Sequence, residues 1–119
     1  MSKRVMVVDD EADIVELIRY NLTNEGYEVI TARNGREALE KAALLPDLII
    51  LDLMMPVMDG LELVRALRTL DPGVKVIAAS GLGAEVDRAQ LAALGVTEIL
   101  PKPIRVETLL NAIRKQLSG

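Results

Sequence analysis

Acidic, hydroxyl and lysine side chains follow four of the five short apolar runs in this 119-residue sequence. They are Asp9 and Asp10 after the first run, Asp52 after the third, Ser80 after the fourth and Lys102 after the fifth. The sequence has no histidine and no cysteine. Imidazole bases, thiolate nucleophiles and disulfides are therefore excluded, and phosphoryl or proton chemistry must rest on carboxylates, lysine and hydroxyls.

The third run, Leu48-Ile49-Ile50-Leu51, ends abruptly on Asp52. Four branched aliphatic residues without polar alternation predict a strand that is buried on both faces, as in a parallel sheet. Ligands and chemistry in open α/β sheets are found at the carboxyl ends of such strands. Asp52 is therefore the strongest candidate for a reactive residue, although an aspartate after a strand can also simply cap a turn.

The apolar runs alternate with helical patterns along the whole chain. The predicted strands are Arg4–Val8, Tyr27–Thr31, Leu48–Asp52, Val74–Ala79 and Thr97–Leu100. The predicted helices carry apolar stripes at Ile14, Leu17, Ile18 and Leu22, between Asn34 and Pro46, at Leu61 to Leu70, at about Ala84 to Leu94, and at Val106 to Leu117. Gly26 is the expected C-cap of the first helix, and Asn34 with Glu37 resembles a capping box.

Strands that alternate with helices predict a single α/β domain with a parallel sheet and helices on both faces. The strand order 2-1-3-4-5, a doubly wound and flavodoxin-like order, would place the four polar strand ends side by side and leave the second strand at an edge. The pattern of polar residues therefore favours this topology.

Three carboxylates that lie close together repel one another, which raises a pKa or recruits a cation. Oxygen ligands favour Mg²⁺, which commonly joins carboxylates to phosphate oxygens. Asp52 could then attack phosphorus to give an acyl phosphate. In that reaction Lys102 would neutralise charge on the phosphoryl oxygens, and Ser80 would donate a hydrogen bond to one of them.

Taken together, these motifs resemble the receiver domain of two-component response regulators over residues 1–119. The segments that carry the resemblance are Val7-Val8-Asp9-Asp10-Glu11, Asp52 with Met55-Pro56-Val57-Met58-Asp59-Gly60, Ser80 at the end of the fourth strand and Lys102-Pro103 after the fifth. The resemblance implies that Asp52 is the phosphoacceptor. It also implies a Mg²⁺ site formed by Asp10, Asp52 and the Met54 backbone carbonyl, with Asp9 acting through water.

The resemblance further implies roles for the other strand-end residues. Ser80 is expected to be the switch hydroxyl, Lys102 the family's lysine, and the Lys102-Pro103 bond is expected to be cis. The sequence departs from the family where an aromatic residue is usual, because Ile99 lies three residues before the lysine and Ile104 follows Lys102-Pro103. We therefore expect phosphorylation to be retained and its coupling to the output surface to be altered or muted.

The implied partners are a sensor histidine kinase or a phosphotransfer protein, which supplies the phosphohistidine that this sequence lacks. The effector is expected to be a separate protein or an output domain outside this sequence, and it would contact the fourth helix, fifth strand and fifth helix. The net charge of −4 and the two tyrosines, Tyr20 and Tyr27, argue against direct nucleic-acid binding. No apolar stretch approaches the length of a membrane span, and a cytoplasmic signalling domain rather than a conventional enzyme is expected.

Three alternative functions use a similar fold. A phosphatase of the haloacid-dehalogenase type also uses a strand-end aspartate and Mg²⁺, but it needs a second aspartate where this chain has Met54. A flavin carrier needs a phosphate-binding loop, whereas Asp9 and Asp10 would repel phosphate. A designed, chimeric or degenerate scaffold with altered or no switching remains the main rival, because a fold alone does not establish function.

Overall fold

The sheet is the central layer of the protein. The computed structural model describes residues 2–53, 60–81, 88–96 and 98–118. Within these ranges five parallel strands form one sheet in the order 2-1-3-4-5, as predicted. They are β1 (Arg4–Val8), β2 (Glu28–Ala32), β3 (Leu48–Asp52), β4 (Lys75–Ser80) and β5 (Glu98–Pro101).

Helices cover both faces of the sheet. The helices in the described ranges are α1 (Ala12–Asn24), α2 (Gly35–Lys41), α3 (Gly60–Leu70), α4 (Arg88–Ala93) and α5 (Val106–Leu117). Buried residues of α2, α3 and α4 pack on one face, and those of α1 and α5 pack on the other. None of the helices in the described part of the chain is long and apolar enough to cross a membrane.

The apolar strands are explained by this two-sided burial. Successive side chains of a strand point to opposite faces. In β1, Met6 and Val8 therefore contribute to the core under α2, α3 and α4, while Val5 and Val7 contribute to the core under α1 and α5. The same alternation occurs in β3, where all five residues are buried. Each large side chain removed from water in this way stabilises the fold by roughly 1.5–3 kcal/mol.

Several predicted boundaries are shifted. β2, β4 and β5 each begin and end one residue later than predicted. The second helix does not continue to Pro46, because α2 ends at Lys41 and a 3₁₀ turn, Ala42–Leu44, leads to Leu45 in the left-handed conformation with φ 55°. Of the fourth helix, Arg88–Ala93 is helical and Leu94 lies in a turn, while residues 84–87 lie outside the described ranges.

Two apolar side chains assigned to buried stripes are exposed. Leu17 on α1 is 49% exposed and Leu70 on α3 is 61% exposed. On α1 the buried positions are Val15, Ile18 and Leu22, which follow the helical spacing i, i+3 and i+7. Leu17 points away from that face, since each residue of a helix is rotated by about 100° from its neighbour.

The predicted helix ends agree with the structure in part. Gly26 has φ 93° after α1, where a left-handed residue commonly ends a helix. The Asn34 side chain accepts a hydrogen bond of 2.8 Å from the Glu37 amide at the start of α2. The capping box was only half right, because the Glu37 carboxylate instead pairs with Arg33 and Lys41.

Candidate functional site

Asp9 and Asp52 lie side by side at the carboxyl edge of the sheet. β1 and β3 are neighbours, with Val8 paired to Leu51, so the residues that follow them are adjacent. The Asp9 amide donates to the Ala32 carbonyl and so extends the β1–β2 ladder by one residue. Both carboxylates are only 4% exposed. They are buried because the strand ends place them there, although burial of charge is unfavourable.

Lys102 supplies the opposite charge to these carboxylates. Its Nζ lies 2.8 Å from Asp52 Oδ2 and 3.4 Å from Asp9 Oδ2. Its backbone amide donates to the Ser80 carbonyl at 2.7 Å, which fixes the start of the β5–α5 loop against the end of β4. The Lys102-Pro103 peptide bond is cis. Lys102 therefore joins the ends of β1, β3 and β4 to the loop after β5.

The pKa values of Asp9 and Lys102 are shifted by burial and by the neighbouring charges. Burial raises the pKa of Asp9, and the repulsion from Asp52 adds to this rise, although the Glu11 amide and Lys102 act in the opposite direction. The Glu11 amide donates to Asp9 Oδ1 at 2.9 Å. Burial alone would lower the pKa of Lys102, but its hydrogen bond to Asp52 and its attraction to both carboxylates outweigh that effect, and the pKa is raised.

Asp10 completes a cluster of three carboxylates. One oxygen from each of Asp9, Asp10 and Asp52 lies within 4.8 Å of the others, and Asp10 is exposed. With Lys102 ionised, the three carboxylates leave a net charge of −2 on these four groups. Oxygen donors, this charge and one solvent-facing carboxylate fit a divalent cation such as Mg²⁺, which retains several waters. Met54, whose backbone carbonyl was the fourth expected ligand, lies outside the described residues.

Ser80 and Ile99 lie on the strands next to this cluster. Ser80 is half-buried at the end of β4, and its hydroxyl makes a long hydrogen bond of 3.5 Å to the Gly81 carbonyl. Ile99 pairs with Ala78 across β4 and β5. Its side chain is partly buried and packs against the core cluster that includes Leu91 and Val96. The usual aromatic position is therefore occupied by an aliphatic side chain that contributes to the core.

An apolar groove beside the cluster was not foreseen from the sequence. It has a volume of about 430 Å³ and lies between α1 and the β5–α5 loop. Its lining consists of Ile14, Leu17, Ile18, Pro103, Ile104 and Val106, with Glu11 and Lys102. Leu17, an apolar residue that remains exposed on α1, was the residue that could have indicated the groove. Its helical spacing led instead to the prediction that it packs in the core. Lys102 both lines this groove and contacts Asp52, so the groove opens next to the acidic cluster.

The family model for the response regulator receiver domain matches residues 5–114 of the chain. The chain belongs to this family. Among its relatives, the transcriptional regulatory protein PhoP of Bacillus subtilis, named for alkaline phosphatase synthesis, is 42% identical over 87% of this chain and 43% of PhoP. The chemotaxis protein CheY of Thermotoga maritima is 34% identical over 97% of this chain and 98% of CheY. This chain therefore covers less than half the length of PhoP and nearly all of CheY.

Solved structures of receiver proteins share the fold. The chemotaxis protein CheY4 of Vibrio cholerae is 36% identical, with a TM-score of 0.89 over 98% of this chain and 100% of the CheY4 chain. The family and the strand order agree with the resemblance that the sequence motifs indicated. The phosphatase and flavin-carrier alternatives are not favoured by these relatives, and neither is a receiver-like scaffold without signalling function.

Proposed function

We propose that residues 1–119 act as one receiver domain, a phosphorylation-controlled switch in which Asp52 accepts the phosphoryl group. The observation that carries this proposal is the contact between Lys102 Nζ and Asp52 Oδ2 at 2.8 Å, inside a cluster of three carboxylates. A cation that holds one oxygen of a buried carboxylate fixes the orientation of that carboxylate towards an incoming phosphorus atom. The ammonium group of Lys102 can then also neutralise charge on an incoming phosphoryl group.

The proposed transfer conserves all atoms and charges. An Asp52 carboxylate oxygen forms a bond to the phosphorus of a donor such as phosphohistidine, and the bond from phosphorus to the imidazole nitrogen breaks. The imidazole leaves with the electron pair and takes a proton from solvent. Lys102 stabilises one equatorial oxygen, and the Ser80 hydroxyl donates a hydrogen bond to another. Attack of water on phosphorus later restores the Asp52 carboxylate, so the domain assists both steps without being a conventional enzyme.

Asp10, Asp52 and the backbone carbonyl of Met54 would hold Mg²⁺ directly, with Asp9 acting through water. The bound ion supplies positive charge that offsets the repulsion between the carboxylates and the phosphoryl oxygens. The position of Asp9 supports this role, because burial and the nearby Asp52 carboxylate both raise its pKa, and a bound cation would offset both effects.

The apolar groove between α1 and the β5–α5 loop is the proposed docking place for the phosphodonor protein, a histidine kinase or phosphotransfer protein. Lys102 contacts Asp52 and lines the groove, so a partner helix seated on Ile14, Leu17 and Ile104 would bring its phosphohistidine towards Asp52. A sequence without cysteine fits a reducing compartment, and we place the domain in the cytoplasm.

The proposed output surface consists of α4, β5 and α5. Ser80 would follow the phosphoryl group, and Ile99 would transmit less of this change than the usual aromatic residue, because it already packs in the core. The effector is either an output domain in the same polypeptide, as the greater length of PhoP suggests, or a separate protein, as the length of CheY suggests. We propose no direct contact with nucleic acid or membrane.

The experiment that tests the proposal is intact-mass spectrometry after incubation with acetyl phosphate. We expect the wild-type chain to gain one phosphoryl mass with Mg²⁺ and little or none with excess chelator. Asp52→Asn should gain none, whereas the control Asp47→Asn, at the opposite end of β3, should behave as wild type. Equal mass gain in Asp52→Asn would refute Asp52 as the acceptor.

A further inference from the structure

Arg68 on α3 makes a set of contacts that the proposed chemistry does not use. Its Nε donates to the Leu94 carbonyl, and Nη1 donates to the carbonyls of Pro72 and Val74. Its Nη2 donates to the Gly95 carbonyl at 3.4 Å. All three guanidinium nitrogens are thus directed at backbone oxygens. Two of these oxygens belong to the α3–β4 turn, and two belong to the turn that ends α4.

The turn after α4 is built around this guanidinium. Gly95 has φ 86°, and a Cβ added there would lie 3.0 Å from Arg68 Nη2. The Val96 amide donates to the Leu91 carbonyl at 2.9 Å, and both side chains are buried. Carbonyls at the end of a helix lack partners within the helix, and a cation there also interacts favourably with the helix dipole. Arg68, which belongs to α3, supplies both the hydrogen bonds to these carbonyls and the positive charge at the end of α4.

The carboxyl end of α4 is held against the rest of the protein by a buried side chain and by hydrogen bonds from Arg68. The single described buried side chain of α4 is Leu91. The position of its carboxyl end therefore depends on contacts with other elements. Arg68 provides hydrogen bonds among those contacts, and it does so from α3, whose Leu63, Val64 and Leu67 are fixed in the core.

We propose that Arg68 is a positioning residue that fastens the carboxyl end of α4 to the α3–β4 turn. A shift of α4 on phosphorylation then occurs about this fixed end, because the hydrogen bonds from Arg68 to the Leu94 and Gly95 carbonyls would have to break for the end itself to move. The statement about phosphorylation rests on the proposed function. The attachment of the end of α4 by Arg68, which we call the fastening, does not. The segment from Leu94 to Val96 leads into β5, so the same contacts also fix the approach to Ile99.

Hydrogen exchange of the unphosphorylated protein tests the fastening. In Arg68→Met we expect the amides of Leu94, Gly95 and Val96 to exchange about tenfold faster than in wild type, because local opening no longer has to break the hydrogen bonds from Arg68 to the Leu94 and Gly95 carbonyls. Arg68→Lys should give a smaller increase, since one ammonium cannot reach all four carbonyls. Lys75→Met, which removes an exposed cation near the same turn, is the control.

The reference for this measurement is the amide exchange of β1 and β3. A selective increase at residues 94–96 supports the fastening. Equal acceleration in the central strands would mean that Arg68 contributes only to global stability, and no acceleration would mean that the contacts are dispensable. Either result would overturn the proposal. If Arg68→Met does not fold, Arg68→Lys provides the same comparison.

A double-mutant cycle with Gly95→Ala gives an independent test. The added methyl group meets the Arg68 guanidinium at 3.0 Å and is also strained by the positive φ. The strain is present in either background, but the close contact exists only when Arg68 is present. Gly95→Ala should therefore lower stability less in Arg68→Met than in wild type. Additive effects would contradict the contact.

Phosphorylation distinguishes a positioning role from a purely structural one. We expect exchange at residues 94–96 to remain unchanged on phosphorylation in wild type and to change in Arg68→Met. The same change in both proteins, or no change in either, would overturn the fixed-end statement. If the mass of wild type shows no phosphorylation, the proposed function fails while the exchange of the unphosphorylated protein still decides the fastening.

Discussion

Asp9 is the residue whose charge is least favoured by its surroundings, among the groups with a perturbed pKa. It is buried beside Asp52, and the attraction to Lys102 offsets the resulting rise in its pKa only in part. Lys102, in contrast, is stabilised as a cation by the two carboxylates. The site thus holds an excess of negative charge that binding of a cation would relieve.

The first prediction concerns the pH dependence of stability without metal. Because the pKa of Asp9 is raised in the folded state, its contribution is most favourable below its unfolded pKa of about 3.9 and is lost as pH rises through the folded value. In excess chelator, Asp9→Asn should therefore unfold at higher urea concentration than wild type at pH 7. The advantage should shrink towards pH 4.

Addition of Mg²⁺ should reverse part of this difference, since a ligand that binds only the folded state stabilises it. Wild type should gain more from Mg²⁺ than Asp9→Asn gains. A metal-free Asp9→Asn variant that is less stable than wild type at pH 7, by urea unfolding, would contradict the assignment of Asp9 as an unfavourably buried charge.

The second prediction separates two effects of Lys102. Lys102→Met removes a cation that competes with Mg²⁺, so the dissociation constant for Mg²⁺ should fall several-fold by calorimetry. The rate of phosphorylation by acetyl phosphate should nevertheless fall by roughly 100-fold or more, because a group that stabilises transition-state charge is lost. Lys115→Met, an equal charge change on exposed α5, should alter neither value greatly. Weaker Mg²⁺ binding or unchanged phosphorylation in Lys102→Met would count against the role of Lys102.

Element ends position the site, and short-range signals predict many of them. Asp52 was placed at a strand end because an unbroken apolar run precedes it, and Gly26 was placed after α1 because a left-handed residue commonly ends a helix. The end of α2 was missed because the helix passes into a 3₁₀ turn after Lys41, and Leu45, which ends that turn with φ 55°, is not a glycine. Leu17 was misplaced because several apolar stripes fit the same helical sequence, and only packing against α5 selects one of them.

The third prediction concerns the end of α1. Gly26→Ala should lower the free energy of unfolding by about 1 kcal/mol, because φ 93° is unfavourable for a residue with a Cβ even though space around it is open. Gly73→Ala is the matched control, since its φ lies outside the left-handed region and its Cβ would make only an ordinary contact with Asp71. Equal effects of the two substitutions in urea unfolding would contradict the conformational explanation.

At the scale of the whole molecule, the two core layers connect the acidic cluster to α4 and β5. The sequence pattern predicted this architecture, because buried parallel strands and amphipathic helices have distinct periods. It did not predict Arg68, whose acceptors are backbone carbonyls as far as 27 residues away. Every residue has a backbone carbonyl, so the sequence does not indicate which carbonyls accept hydrogen bonds from Arg68. The groove beside Lys102 could not be predicted from the sequence either, because it depends on how α1 and the β5–α5 loop pack against each other.

The fourth prediction concerns communication across the molecule. Ile99→Tyr should increase the phosphorylation-dependent change in hydrogen exchange along β5 and α5, because a ring can alternate between exposed and buried positions whereas Ile99 packs in the core. Thr108→Tyr, which adds a ring to exposed α5, is the control and should leave the change as in wild type. A wild-type response as large as that of Ile99→Tyr would show that Ile99 does not mute the switch.

We expect the acyl phosphate to form on Asp52 and on no other carboxylate of the cluster. Borohydride reduces an aspartyl phosphate to homoserine, so peptide mass spectrometry after reduction identifies the phosphorylated position. In protein treated with acetyl phosphate and Mg²⁺, we predict homoserine at position 52 and unmodified aspartate at positions 9 and 10. Homoserine at position 9 or 10, or its absence from position 52 in protein whose intact mass shows phosphorylation, would contradict the account.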